Sequence, residues 1–325
     1  MKLNIVQLVA FFALHVTFIP ISHAGLVLNL LGQNLGLRLS VFASDFPHGP
    51  IPTRFGAMGA TSTAEGKILV SDHLGNIYRF DDRDDQTIAD ALSIVSLGSA
   101  NSGGALAQTT GQVYLSASRQ ILRLNNDGTV NFIMLGGALV GGIALATNPI
   151  SGHLYTNNNI SAGSNLTDIN PFTNTFVIGN IAGGRLGGVS LDGAVLYNSA
   201  YPRVQAQFTG HLDIQWISDA FAGALNVIQA GALVGDIVGY DQTTGQLRLF
   251  NHILGTSVVV GIGDLSDPAA VIGIDHLTGS LLFADGETVY RISSAAEPAD
   301  LALLILSGVA LVWRRHVNRK ISISR

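Results

Sequence analysis

Apolar positions fall in short runs of four to seven residues, each bounded by glycine or by a polar turn. No stretch of ten or more carries the i, i+3, i+4, i+7 stripe of an amphipathic helix, so the pattern predicts short strands and argues against helical repeats. One unit recurs: a glycine, any residue, then a branched apolar residue opening a strand. It occurs at Gly66, Gly111, Gly152, Gly193, Gly245 and Gly279, with Ile68, Val113, Leu154, Val195, Leu247 and Leu281 in third place. The intervals are 45, 41, 41, 52 and 34 residues. Upstream of five copies lies a small-residue apolar strand ending in a polar turn: 103–111, 141–152, 187–193, 235–245 and 271–279. Glycine there lets neighbouring backbones approach closely, and the Asp, Thr, Asn and Gly of the turns suit hairpin connections. A third strand follows in several copies (75–81, 119–125, 287–293), and a weaker fourth at 129–135 or 174–180.

Four short strands per repeat of about 43 residues is the pattern of a propeller blade, whose faces are buried only by stacking on neighbours. The fold expected is all-β, a six-bladed β-propeller over 25–293. A seven-bladed ring needs a further blade hidden near 202–235. The copy at Gly193 is blurred: its strands (201–210, 212–218) are followed by extra chain, which accounts for the 52-residue interval. The last copy has no residues left for a fourth strand. Upstream of the first copy lies an unassigned strand, 36–43, with Leu37, Leu39 and Val41 alternating against Arg38 and Ser40. It is expected to pair beside 287–293 and close the ring.

Composition sharpens this picture. Of 325 residues, only 12% are charged while 38 are glycine, which suits turns between strands better than the charged outer faces of a helical bundle. No cysteine is present, so disulfides, zinc–thiolate sites and thiol nucleophiles are excluded. Between Gly25 and Pro298 there are 11 Lys+Arg against 21 Asp+Glu, a net of −10. A body of that sign repels phosphate backbones, so no nucleic-acid partner is expected.

The two ends read as addresses rather than fold. Lys2, the apolar stretch 8–19 and Ser22-His23-Ala24 form an export signal with cleavage expected after Ala24. At the other end, Ala296-Glu297-Pro298 precedes an apolar run, 301–313, and then Arg314, Arg315, His316, Arg319 and Lys320. The run's thirteen residues are fewer than the ~20 of a comfortable spanning helix, and the basic flank would stay cytoplasmic. This end resembles a PEP-CTERM sorting tail (294–325), with the Glu297-Pro298 motif, a single hydrophobic helix over 301–313 and the Arg314-Arg315 pair; Ala296 stands where that family has its first proline. The resemblance implies an inner-membrane intermediate and an exosortase-type processing enzyme as partner. It further implies delivery to the cell surface or extracellular matrix in connection with exopolysaccharide.

The repeats themselves, above all 67–81 and 111–130, resemble blades of NHL-repeat and gluconolactonase-like propellers. In the latter a Glu, an Asn and an Asp hold a divalent metal at the channel mouth. Here His48-Gly49-Pro50 lacks the preceding glutamate, and the inner strands open with Gly103-Gly104, Gly141-Gly142 and Gly187-Gly188 instead of Asn-Gly. No metal, cofactor or catalytic residue is therefore assigned. The function expected is an exported propeller presenting a binding surface to protein or polysaccharide, with a metal-dependent lactonase or lyase as the alternative. The acidic cluster Asp81, Asp82, Asp84 and Asp85 lacks the glycine and closing glutamate of a calcium loop and reads as a solvated loop. Asp72-His73 and Asp275-His276 read as turn residues rather than acid–base pairs.

Overall fold

The computed structural model describes residues 25–48, 56–98, 104–117, 120–136, 144–157, 165–180, 185–193, 195–198, 207–208, 212–216, 225–241, 244–251, 254, 256–263 and 271–295. Ala24 with the rest of 1–24, the expected sorting residues Glu297, Pro298, Arg314 and Arg315, and the run 301–313 lie outside these. Among the described residues no helix is long and apolar enough to cross a membrane. Helix is confined there to the five-residue Leu30–Asn34 and a 3-10 turn at Ile88–Asp90.

The strands sort into six sheets of four or five, in an all-β, propeller-like arrangement. The innermost strands are Ala57–Ser62, Leu106–Thr109, Ala144–Thr147, Arg185–Val189, Leu225–Val227 and Val271–Ile274. Each touches the next in chain order, and the last touches the first. The described strands near 202–235 belong to the fourth and fifth sheets, so they supply no seventh.

The repeat glycine has a clear local cause. At Gly66, Gly111, Gly152, Gly193, Gly235 and Gly279 φ lies between 71° and 89°, the left-handed region closed to most side chains. Each ends the turn between the first and second strands of its sheet. The fifth copy is therefore Gly235, not Gly245. Gly245 joins the second strand, Ile237–Asp241, to the third, Gln246–Asn251. With Gly235 the intervals become 45, 41, 41, 42 and 44, and the irregular 52 and 34 vanish. The residue in third place is buried every time: Ile68, Val113, Leu154, Val195, Ile237 and Leu281 are at most 4% exposed.

The fourth sheet departs from a simple meander. Its second strand, Val195–Asn198, pairs in parallel with Leu212–Trp216 (Val195↔Ile214), and Gln207–Phe208 lies outside that. A parallel pair needs a long connection rather than a tight hairpin turn. Of the expected strand over 201–210, the described part is only Gln207–Phe208.

The ring closes as the alternation at 36–43 predicts. Leu37–Ser44 lies antiparallel to Thr288–Ser294, with Leu39↔Ile292 and Val41↔Tyr290. Phe42 and Phe46 then meet Phe80 and Tyr78 of the first sheet edge to face, with centroids 5.8 Å apart for Phe42–Phe80 and 5.2 Å for Phe46–Tyr78. Two features go beyond the expected seam. Val27–Leu28 adds a fifth strand to the fifth sheet, with Val27 opposite Ile262. The acidic loop is not simply solvated: Arg291, 13% exposed, pairs with Asp82 and sits 3.4 Å from Asp84. Ser40 Oγ donates to Asp84 at 2.7 Å, and the Arg291 guanidinium lies 5.0 Å from the Phe42 ring centroid. The cluster thus ties the first sheet to the closing strand.

Candidate functional site

The axis of the ring is filled rather than open. The inner strands of all six sheets enclose a cavity of only about 10 Å³, room for about one water. Thr61, Leu106, Leu145, Thr147, Val189 and Asn226 are among the residues that line it. Their polar groups stitch neighbouring sheets together. Thr61 Oγ1 donates to Ile274 O at 2.9 Å, and Gln108 Nε2 to Ser62 O at 3.1 Å. Thr147 Oγ1 donates to Gln108 O at 2.9 Å, and Asn226 Nδ2 to Ile272 O at 2.7 Å.

A larger hollow of about 300 Å³ opens at the end of the axis where first and second strands turn, at the small end of typical ligand pockets. The second and third sheets supply Gln108 to Thr110 and Thr147 to Gly152, and from across the axis come Gln229 and His276. Phe172 stands at its edge, 60% exposed, on the outer turn of the third sheet. Asn148 is fixed: its Oδ1 accepts from Ile150 N at 2.9 Å and Ser151 N at 3.1 Å, and its Nδ2 reaches Gly193 O of the next sheet at 3.4 Å. Among the described residues no carboxylate and no Lys or Arg lines the hollow, and His276 is its one histidine. Such a lining can exchange neutral hydrogen bonds and offer an aromatic face. It lacks the paired carboxylates that general acid–base hydrolysis uses.

His276 belongs to the hollow and to the small cavity beneath it. Its backbone N–H is held by Ser62 Oγ at 2.8 Å. Burial lowers its pKa, only partly opposed by Asp275. With the folded value below the unfolded ~6.5, the unfolded chain takes the proton first. The stability this neutral ring permits is therefore full above that pH and falls as pH drops through it. Melting curves of the parent and His276→Gln are expected to diverge between pH 7 and 5, the parent losing more. Parallel curves would refute a buried neutral imidazole.

The other candidates resolve as structure. Asp72, fully buried, accepts from Leu74 N and Asn76 N at 2.9 and 2.8 Å, and from Tyr78 Oη at 2.9 Å. Burial, with the neighbouring Asp72 charge, raises the Tyr78 pKa far above its usual value. Asp275 caps its turn through Leu277 N and Thr278 Oγ1. Two histidine–carboxylate pairs, His153–Asp168 and His48–Glu287, each at 2.8 Å, are not part of the hollow's lining. Burial raises the Asp168 pKa, against the lowering effect of His153. Among the described residues no three His, Asp or Glu converge as a metal group. None of the hollow's residues was assigned from sequence. The available signal was position: Gln108, Asn148, Gln229 and His276 all lie three to six residues before a repeat glycine, once Gly235 is the fifth.

This architecture defines an all-β, propeller-like body. Three solved structures show the likeness. A gluconolactonase from Xanthomonas campestris (XC5397) is 13% identical, with a TM-score of 0.56 over 83% of this chain and 95% of that one. A luciferin-regenerating enzyme is 9% identical, with a TM-score of 0.53 over 80% and 96%. An auxiliary nutrient binding protein from Bacteroides thetaiotaomicron is 11% identical, with a TM-score of 0.52 over 79% and 76%. At these identities the likeness is one of fold. No protein-family model matches the chain, and no curated protein matches it by sequence.

Proposed function

We propose that the chain is an exported, six-bladed binding propeller that holds a neutral, hydroxyl-rich ligand, a segment of polysaccharide, in the hollow at the strand-turn end of its axis. The observation that carries this reading is the lining: amides and hydroxyls from three sheets with His276 from a fourth, no acid or fixed cation among its described residues, and Phe172 exposed at the rim. Amides and hydroxyls both donate and accept, as sugar hydroxyls require, and an aromatic face covers the C–H face of a pyranose. Glycan-array binding followed by titration of the hits tests it. Phe172→Ala and Gln229→Ala are expected to weaken binding about tenfold each, or ~1.4 kcal/mol, with the fold intact. Absence of saturable binding to any neutral glycan would remove the reading. The competing reading, a metal-dependent lactonase, draws on the fold likeness to the Xanthomonas enzyme, and fold alone does not assign chemistry.

Export and sorting belong to the same proposal. Signal cleavage after Ala24 and processing near Glu297-Pro298 by an exosortase-type enzyme would carry the body from an inner-membrane intermediate to the surface or matrix, with Arg314 and Arg315 retaining the tail until it is cut. Mass spectrometry of the surface form is expected to begin at Gly25 and to lack 301–325. An extracellular form intact through Arg325 would contradict it.

A further inference from the structure

The first described residues bury some leucines and present others. Leu26 and Leu28 enter the core between the fifth and sixth sheets. Val27, Leu30, Leu31, Leu35 and, opposite Val27, Ile262 are 59%, 76%, 45%, 36% and 61% exposed. The helix Leu30–Asn34 is held by hydrogen bonds from its N-cap, Asn29, and from Gln33 to backbone atoms. Asn29 Nδ2 donates to Val259 O at 2.9 Å, and its Oδ1 accepts from Gly32 N at 2.9 Å. Gln33 Nε2 donates to Leu28 O at 3.3 Å. Gly32 rests on Val260, where a Cβ would come within 2.4 Å of the carbonyl oxygen. Leu30 and Leu31 share the outward surface with Gln33 and Asn34, which are also exposed. From Gly25 to Ser44 the one charged residue is Arg38, which is exposed.

The chain's other end leaves beside this face. Ala295 N donates to Gly36 O at 2.8 Å, and Gly36 directly follows Leu35. From Ala295 to Leu301, where the tail's apolar run begins, is six residues, a reach of at most ~20 Å. We infer that the leucine face is a membrane-contact surface: while the tail is inserted, Leu30, Leu31, Leu35, Val27 and Ile262 rest on the lipid bilayer, with Arg38 toward anionic headgroups. This rests on the sorting-tail reading. The short tether keeps the face within reach of the bilayer, and an apolar face with a cationic neighbour is what an interfacial segment offers to lipid. Cutting the tail would then release a body whose contact is too small to stay bound.

The test uses the full chain, which has no native cysteine. Leu30→Cys, labelled with an environment-sensitive fluorophore, is reconstituted in nanodiscs of phosphatidylethanolamine and phosphatidylglycerol. Leu277→Cys, at an exposed turn by the hollow, is the reference. Lipid-borne nitroxide is expected to quench the Leu30 label at least about twofold more than the Leu277 label, and aqueous iodide the reverse. A Leu30 label reached by iodide and not by nitroxide overturns the inference. A label shielded from both shows cover by the tail or a second copy and overturns it too. Failure of the chain to co-elute with nanodiscs overturns the tail reading, and this inference with it.

Discussion

A chain beginning at Phe46 is expected to fail to form a stable ring, while one beginning at Gly25 melts cooperatively. The truncation removes Leu37–Ser44 and leaves the Thr288–Ser294 edge with unpaired backbone groups, an exposed edge that invites aggregation. It also removes five buried apolar side chains, Leu26, Leu28, Leu37, Phe42 and Ala43. At ~2 kcal/mol for each of the four larger ones, the loss is comparable with the whole stability of a typical domain, ~5–15 kcal/mol. A chain beginning at Gly36 keeps the closing strand and loses only the edge strand and helix, so its melting temperature is expected between the two. Equal melting temperatures for chains starting at Gly25 and Phe46 would end the closure argument.

The second large effect is expected from a single methyl group. Gly273 lies on the innermost strand of the sixth sheet, and a Cβ there would stand 1.8 Å from the carbonyl oxygen of Ala60 in the first sheet. The obstacle is backbone, so no side-chain rotation relieves it. Gly273→Ala must push two sheets apart at the junction where the ring closes. A cost of ~3 kcal/mol or more, at the upper end of overpacking effects, corresponds to a fall of roughly 10 °C in Tm for a body of this size. Gly98→Ala is the comparison: its added Cβ meets nothing within 4 Å, but φ is 78°, so only the backbone cost of ~1 kcal/mol applies. Thermal melts of both separate crowding from backbone strain, and a loss at Gly273 no larger than at Gly98 would count against the close approach.

These two positions also show what the chain discloses by itself. The seam is readable because the alternation of Leu37, Leu39 and Val41 with Arg38 and Ser40, beside an incomplete last repeat, leaves one pairing partner; the bulge after Val41 that buries both Phe42 and Ala43 is not. The repeat glycines were readable because one backbone conformation recurs at each first turn. The fifth copy was misplaced because Gly245 also precedes an apolar strand and also has positive φ; only pairing separates a first turn from a second. Residues 25–35 carry the composition of a leader, and nothing local reveals that Leu26 and Leu28 are buried and Leu30 is not. The Arg291 cluster joins residues more than 200 positions apart, and the hollow gathers turns from four sheets. Both exist only once the ring is assembled, which is why single motifs do not announce them.

The seam has a consequence in time. Leu39 and Ile292, partners across it, are 253 positions apart in the chain. Pairing across such a span is slow, because the intervening loop must be ordered before the contact rewards it. In a chain threaded through a membrane N-terminus first, the strand that locks the ring would emerge almost at once and then wait for a partner among the last residues to cross. For a chain exported as proposed, the locked state would be out of reach until translocation is nearly complete. The same pairing that makes the finished ring hard to open keeps the unfinished chain in a state that can still be threaded.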